Sequence, residues 1–357
     1  MRNRFVRKLA ATALAAALVL CSSVGVMGAT MGDVNGNGVV ETSDTYITLY
    51  KSIVMYNTEP ATIYYPDITY SYNIAPVNVG DNTTVSNGSG GIVKVKAGIV
   101  NGATLSSDNI VFDNSESIET SSSGIEVKKP LTINVDLTKF NSAGIYRYVI
   151  TETNNSDLTN AGISRPTGYE NVRYLDVYIA NAAEGGLEVK GYVCFDEGGE
   201  KCSGFVDASS DADKYYTYNV TVTKVVEGTL GDRGFGFDFA IKTEGKTNQP
   251  FKVEKTGTEL SLSGDEGKIG EEFTVKLNHN AYVKLIGLPA NTKMSQIQET
   301  NNSPDVYNTK IEIDGTVNGV GESLAAGTGV KNLTASRKIT NYEDCNSTNL
   351  SQEATTF

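Results

Sequence analysis

The chain has little of what catalysis usually draws on. Among its 357 residues there are one His, no Trp, 4 Cys and 8 Pro. A lone His cannot supply a zinc triad, and it has no second His to pair with. So few Cys form no disulfide framework. No apolar run reaches the roughly 18 residues of a membrane span, so no span is expected in the mature chain. Cationic residues are also short: 30 Lys and Arg against 42 Asp and Glu leave a net charge of −12. That balance argues against nucleic acid as a partner. A hydrophobic content of 39% excludes a wholly disordered chain. What is plentiful is Tyr, with 19, among Thr, Ser and Asn throughout. This composition suits an extracellular all-β protein, long enough for two domains with separate cores.

The N-terminus reads as an export signal over residues 1–29. Arg2, Arg4, Arg7 and Lys8 form a basic start, Leu9–Leu20 an apolar stretch, and Val26-Met27-Gly28-Ala29 a small-residue exit with cleavage near Gly28 or Ala29. Cys21 follows the large Leu20, which is a poor lipidation context. Secretion to the cell surface or beyond follows, in a compartment that permits disulfides.

Strand-like runs separated by Gly/Ser/Asn loops then continue to Tyr342. One series, Tyr46–Val54 to Leu187–Phe195, is followed by another, Tyr216–Val226 to Leu333–Tyr342, with no long amphipathic helix between them. Their lengths and spacing predict two tandem β-sandwiches, over 45–207 and 215–343. The polar segment 208–214 is the expected linker, and 344–357 an unpatterned tail.

Alternation within two strands exposes an anomaly. Ile47, Leu49, Lys51, Ile53 and Met55 share one face, so a lysine sits in an apolar row. Tyr216, Tyr218, Val220, Val222 and Lys224 repeat the pattern in the second series. A buried ammonium is costly unless it is paired, neutralised or consumed by chemistry. The bland reading of one such lysine is a strand-end side chain that snorkels to solvent; two in equivalent places weaken it. Each domain also offers a carboxyl on an inward face: Glu152 beside Tyr146, Tyr148 and Ile150, and Glu299 beside Ile297. Each ends with an acceptor candidate, Asp207 beside Phe205 and Asn341 beside Ile339. Lys, Glu and Asn or Asp in one hydrophobic core are the ingredients of a self-formed isopeptide bond. Burial favours a neutral amine as nucleophile and a protonated Glu as proton shuttle. Attack on Asn releases ammonia; attack on Asp releases water.

At these residues the chain resembles the streptococcal pilin isopeptide-linkage family. The resemblance runs through Tyr50-Lys51-Ser52-Ile53, Gly144–Glu152 and Arg173–Tyr178, then Val222-Thr223-Lys224-Val225, Ile286–Thr292, Gln298-Glu299-Thr300 and Ile339-Thr340-Asn341-Tyr342. It implies tandem immunoglobulin-like sandwiches, each closed by a Lys–Asn bond between first and last strands, with Glu152 and Glu299 as catalysts and no cofactor required. Lys224, Glu299 and Asn341 match fully. Domain one departs at its acceptor, where Phe205-Val206-Asp207 stands for the family's Phe-x-Asn. It further implies a structural subunit, not an enzyme on outside substrates, with other pilin subunits as partners and sortase as the coupling agent. No Leu-Pro-x-Thr-Gly signal occurs in Asn346–Phe357, so the expected anchoring route stays open.

Three features stand beside this reading. Asp33, Asn35, Asn37 and Asp44, with Gly38 between, have the spacing of a calcium loop, like the first half of a dockerin, on a segment (30–44) that reads first as a polar linker. Cys194 and Cys202 bracket a turn that a disulfide would pinch; two free thiols are the alternative, and Cys345 is left over. The loop Asn78–Gly91 offers an adhesin-type surface for an unnamed host or matrix ligand. An adhesive stalk and a dockerin-bearing component of an extracellular complex are therefore the alternatives to a pilin.

Overall fold

A computed structural model describes residues 45–80, 83–86, 92–121, 123–153, 157–206 and 212–300, together with the backbone of the strands Asn308–Asp314 and Thr334–Tyr342. The export signal, the calcium-loop-like residues Asp33, Asn35, Asn37 and Asp44, residue Asp207 and the tail lie outside the described residues. Among those described, strands dominate and the one helical turn is Leu137–Lys139. No described helix is long and apolar enough to cross a membrane.

The first sandwich packs the strand Tyr46–Asn57, flanked by Ile125–Val135, against a sheet ordered Leu187–Phe195, Val172–Asn181, Gly144–Thr153, Ile68–Pro76 and Asn109–Phe112. Period-two burial drives this layering. Ile47, Leu49, Ile53 and Met55 are all fully buried and meet Tyr70, Tyr148, Ile150, Leu175 and Phe205 in one core. The second sandwich sets Tyr282–Pro289, Pro250–Lys255 and Thr334–Tyr342 on one side and Phe237–Glu244, Glu272–Leu277 and Lys293–Glu299 on the other. Its core joins Val220, Val222, Phe237, Phe239, Val283 and Leu285.

One strand belongs to both. Asp213–Glu227 runs for 15 residues. Its start pairs in parallel with Ile53–Asn57 of the first strand, and its remainder pairs in parallel with Thr334–Tyr342 and antiparallel with Tyr282–Pro289. The phase of burial changes on the way. Asp213, Tyr215 and Thr217 point inward to the first sandwich, whereas Tyr218, Val220, Val222 and Lys224 point into the second. A register shift between Tyr218 and Val220 accommodates the change, and buried Asn219 there accepts the Gly287 N–H at 3.1 Å. The segment expected as a linker therefore already includes strand, from Asp213 onward.

Side-chain contacts pin the border from both flanks. Buried Gln249 donates to the Tyr65 carbonyl at 2.8 Å and accepts from the Asp67 N–H at 3.2 Å. Lys284 meets Glu59, Lys246 meets Asp157, and Asn291 donates to the Thr159 carbonyl at 3.0 Å.

Candidate functional site: two buried lysine centres

Lys51 and Lys224 are both fully buried, each on a strand that begins its sandwich. Their surroundings share a plan. In domain one, Lys51 lies opposite Phe205, and the position two residues on, Ile53, lies opposite Asp213 on the parallel neighbour. In domain two, Lys224 lies opposite Ile339, and Val226, two residues on, lies opposite Asn341, again on a parallel neighbour. Asp213 and Asn341 thus hold the same register position relative to their lysines. A buried Glu reaches each lysine from the facing sheet, Glu152 on Gly144–Thr153 and Glu299 on Lys293–Glu299.

The register offers Asp213 as an acceptor candidate in domain one; Asp207, the residue expected there, lies outside the described residues. Among the described residues the first strand pairs with Gly204–Phe205 and with Asp213–Thr217, and Asp213 fills the place opposite Ile53. Gly204 makes the first contact possible: its φ is +109°, and a Cβ there would meet the Tyr50 carbonyl oxygen at 2.7 Å.

The domain-one centre is crowded with charge. The Lys51 ammonium donates to Asp213 Oδ2 at 2.8 Å and to the Tyr169 hydroxyl at 2.9 Å, and stands 3.3 Å from Glu152 Oε2. It also lies over the Tyr70 ring, 4.3 Å from its centroid. Arg165 closes the set. Its Nε donates to Asp213 Oδ1 at 2.8 Å, and its Nη2 donates to Asp213 Oδ2 at 2.7 Å and to Glu152 Oε1 at 2.5 Å. Glu152 Oε2 further accepts from Tyr169 at 2.7 Å and Tyr72 at 3.2 Å. Burial, then the neighbouring carboxylates, push both phenols well up, which keeps them neutral donors. Burial alone would raise the Asp213 carboxyl; Arg165 and Lys51 outweigh it, and its pKa lies below the ordinary value.

Local structure explains why Arg165 arrives there. Ile163 and Ser164 pair antiparallel with Tyr215 and Lys214, which brings the next residue level with Asp213. A turn then folds the chain back, with Tyr169 N–H donating to the Pro166 carbonyl at 3.2 Å and Gly168 at φ +87°. That turn returns Tyr169 to the centre and lays its ring 3.9 Å from the Arg165 guanidinium.

Domain two is sparer. Lys224 donates to Glu299 Oε2 at 2.8 Å and lies over the Phe237 and Phe239 rings at 3.8 and 5.7 Å. Burial among these rings lowers the Lys224 ammonium to about 8, with Glu299 opposing the shift. An ammonium lowered this far supplies a far larger neutral fraction near neutral pH than an ordinary lysine, about a tenth at pH 7, with a carboxylate beside it to take the proton.

The remaining expected residues are placed as follows. The Cys194 and Cys202 sulfurs stand 3.5 Å apart as free thiols across the turn Phe195–Lys201. Their mutual hydrogen bond, then burial, raises Cys194, while the same bond lowers Cys202. Cys202 is thus the more reactive sulfur. Mild oxidation of folded protein is expected to remove the Cys194 and Cys202 thiols from Ellman titration of the chain without unfolding, leaving Cys345, and Cys202→Ser to prevent it; an undiminished thiol count after oxidation would exclude this pairing. His279 accepts the Val226 N–H through Nδ1 at 3.0 Å and serves as a strand-end cap. Among the described residues no cluster of three or more His, Cys, Asp or Glu is arranged to hold a metal.

Residues 218–342, the second sandwich, match a family described as a domain of unknown function, DUF7601. No curated protein matches the chain. A mutant of the major pilin from Streptococcus pyogenes aligns over 83% of this chain and 99% of its own at 17% identity, with a TM-score of 0.50. The major pilin T3.2 from S. pyogenes serotype GAS13637 aligns over 83% and 98% at 20% identity, with a TM-score of 0.47. A pilus-presented adhesin aligns over 48% of this chain and 37% of its own at 19% identity, with a TM-score of 0.25. The chain therefore has the all-β, two-sandwich fold of a streptococcal major pilin.

Proposed function

We propose that the protein is a structural subunit of a pilus-like fibre at the cell surface, with domain two closed by an isopeptide bond between Lys224 and Asn341. One observation carries this reading: a fully buried lysine with a facing Glu recurs at the same register in two sandwiches joined by a common strand. Such centres tie the first strand of a domain to its last, which suits a protein under tension and adds nothing to turnover of a soluble substrate.

In domain two, Glu299 takes a proton from the Lys224 ammonium, and the neutral amine attacks the Asn341 side-chain carbonyl carbon. The new C–N bond replaces the bond to the amide nitrogen, which leaves as ammonia with the proton carried by Glu299, and Glu299 takes the second proton of the attacking nitrogen and ends as the neutral acid. Charge is balanced throughout, and a neutral amide replaces the buried ion pair. In domain one, the ion pair of Lys51 with Asp213 links the corresponding strands. Other copies of the chain are the partners this function requires.

Immunoblots of cell-wall extracts boiled in detergent are expected to show a ladder at multiples of the subunit mass. Monomer alone, confined to the culture fluid, would exclude the fibre.

A further inference from the structure

The two lysine centres differ in one respect that decides their chemistry. Lys224 faces Glu299 and aromatic rings, with Asn341 at the acceptor register, whereas Lys51 faces two carboxylates and a second cation. We propose that Arg165 holds Lys51 and Asp213 as an ion pair and withholds domain one from amide formation, so that this domain is closed by a buried ionic clasp. The inference rests on reading these lysines as isopeptide centres and concerns which of them reacts.

The argument is one of proton and charge accounting. Joining a lysine to an aspartate requires a neutral amine, a protonated acid beside it and a carboxyl carbon open to attack, with water as the leaving group. With Arg165 present, the centre holds two cations and two carboxylates, so neutrality requires no proton. Both Asp213 oxygens accept from the guanidinium, and one of them from Lys51 as well. A carboxylate engaged on both oxygens by cations is a stable anion and a poor electrophile. The depressed pKa of Asp213 agrees with this. The third Arg165 contact, to Glu152 Oε1, engages the residue that would have to carry the proton.

Remove the guanidinium, and Lys51 faces two carboxylates 0% exposed on their side chains. A buried excess of one negative charge draws in a proton. The centre then contains an amine, a carboxylic acid and a second carboxyl in contact, which is the reacting set. Lys51 Nζ attacks Asp213 Cγ, the C–N bond replaces a C–OH bond, and the hydroxyl leaves as water with the proton held by Glu152, which takes a proton from the attacking nitrogen in return. Arg165 is a positioning residue: it acts through the charge state of its neighbours.

The experiment is intact mass with peptide mapping on the full chain, comparing wild type, Arg165→Met and Arg165→Lys. Wild type is expected to yield Lys51 and Asp213 in separate peptides, with no water deficit. Arg165→Met is expected to lose one water per chain and yield a branched Lys51–Asp213 peptide. Arg165→Lys, which keeps the second cation, is expected to remain unlinked. A branched Lys51–Asp213 peptide in wild type would overturn the proposal, even if Arg165→Met failed to fold. So would a folded Arg165→Met chain without the water deficit. The ammonia deficit of Lys224 and Asn341 is read in the same spectra; its absence would remove the domain-two assignment and is a separate result.

Discussion

Lys224→Met is expected to lower the melting temperature of the second sandwich by about 15–25 °C, with the fold retained. The proposed bond encloses nearly the whole domain between residues 224 and 341. By the loop-entropy argument applied to disulfides, a cross-link around a loop of about a hundred residues contributes on the order of 5 kcal/mol. That is comparable to the net stability of an ordinary domain. Methionine removes the nucleophile and the charge together while filling a similar apolar volume among Phe237, Phe239 and their neighbours. Glu299→Ala should be worse. It removes the proton carrier and leaves the Lys224 ammonium unreacted and without the carboxylate it contacts, which adds about 3–5 kcal/mol for a broken buried pair. Differential scanning calorimetry in dithiothreitol checks both variants, because an amide survives reductant. A Lys224→Met chain that melts with wild type would show that no staple spans this domain.

Asn341→Ala exposes a different signature, a stability that climbs with alkali. Without an acceptor the amine persists, and its pKa falls from the ordinary 10.5 to about 8 in the folded chain. Between these values the unfolded chain binds more protons at this site than the folded one, so unfolding free energy rises with pH across that window. The shift amounts to about 3 kcal/mol, complete by pH about 10.5 and absent below about 8. Wild type has no free Lys224 amine if the bond has formed, and its second domain should lack this rise. Urea titrations at pH 7.5 and 10.5 on both chains make the test. An equal rise in wild type would mean the amine was never consumed; none in the variant would mean that burial does not depress it.

Much of this was legible in the residues. Alternation located Lys51 and Lys224 in apolar rows, and the structure buries both completely. Glu152 and Glu299 were readable for the same reason, since each lies on a strand whose inward residues alternate cleanly. Asp213 was not. Its strand switches inward phase near Thr217–Asn219 to serve two cores, so the parity that identified Lys224 points Asp213 outward when extended back along the chain. Arg165 and Tyr169 carry only a weak local signal, the turn-prone Pro166-Thr167-Gly168 between them. Their arrival at Lys51 depends on a two-residue pairing with the shared strand, a tertiary event that no local pattern announces.

The shared strand also governs how such a subunit would bend. At about 3.3 Å per residue, Asp213–Glu227 is a continuous rail of about 50 Å laid across the border. A string of beads stores slack in its linkers and stiffens only after they are drawn out. Here, swivelling one sandwich against the other would peel the rail from Ile53–Asn57 on one side or from Tyr282–Pro289 on the other. Curvature imposed by flow would therefore gather at the joints between successive subunits, and a filament's persistence length would be set there.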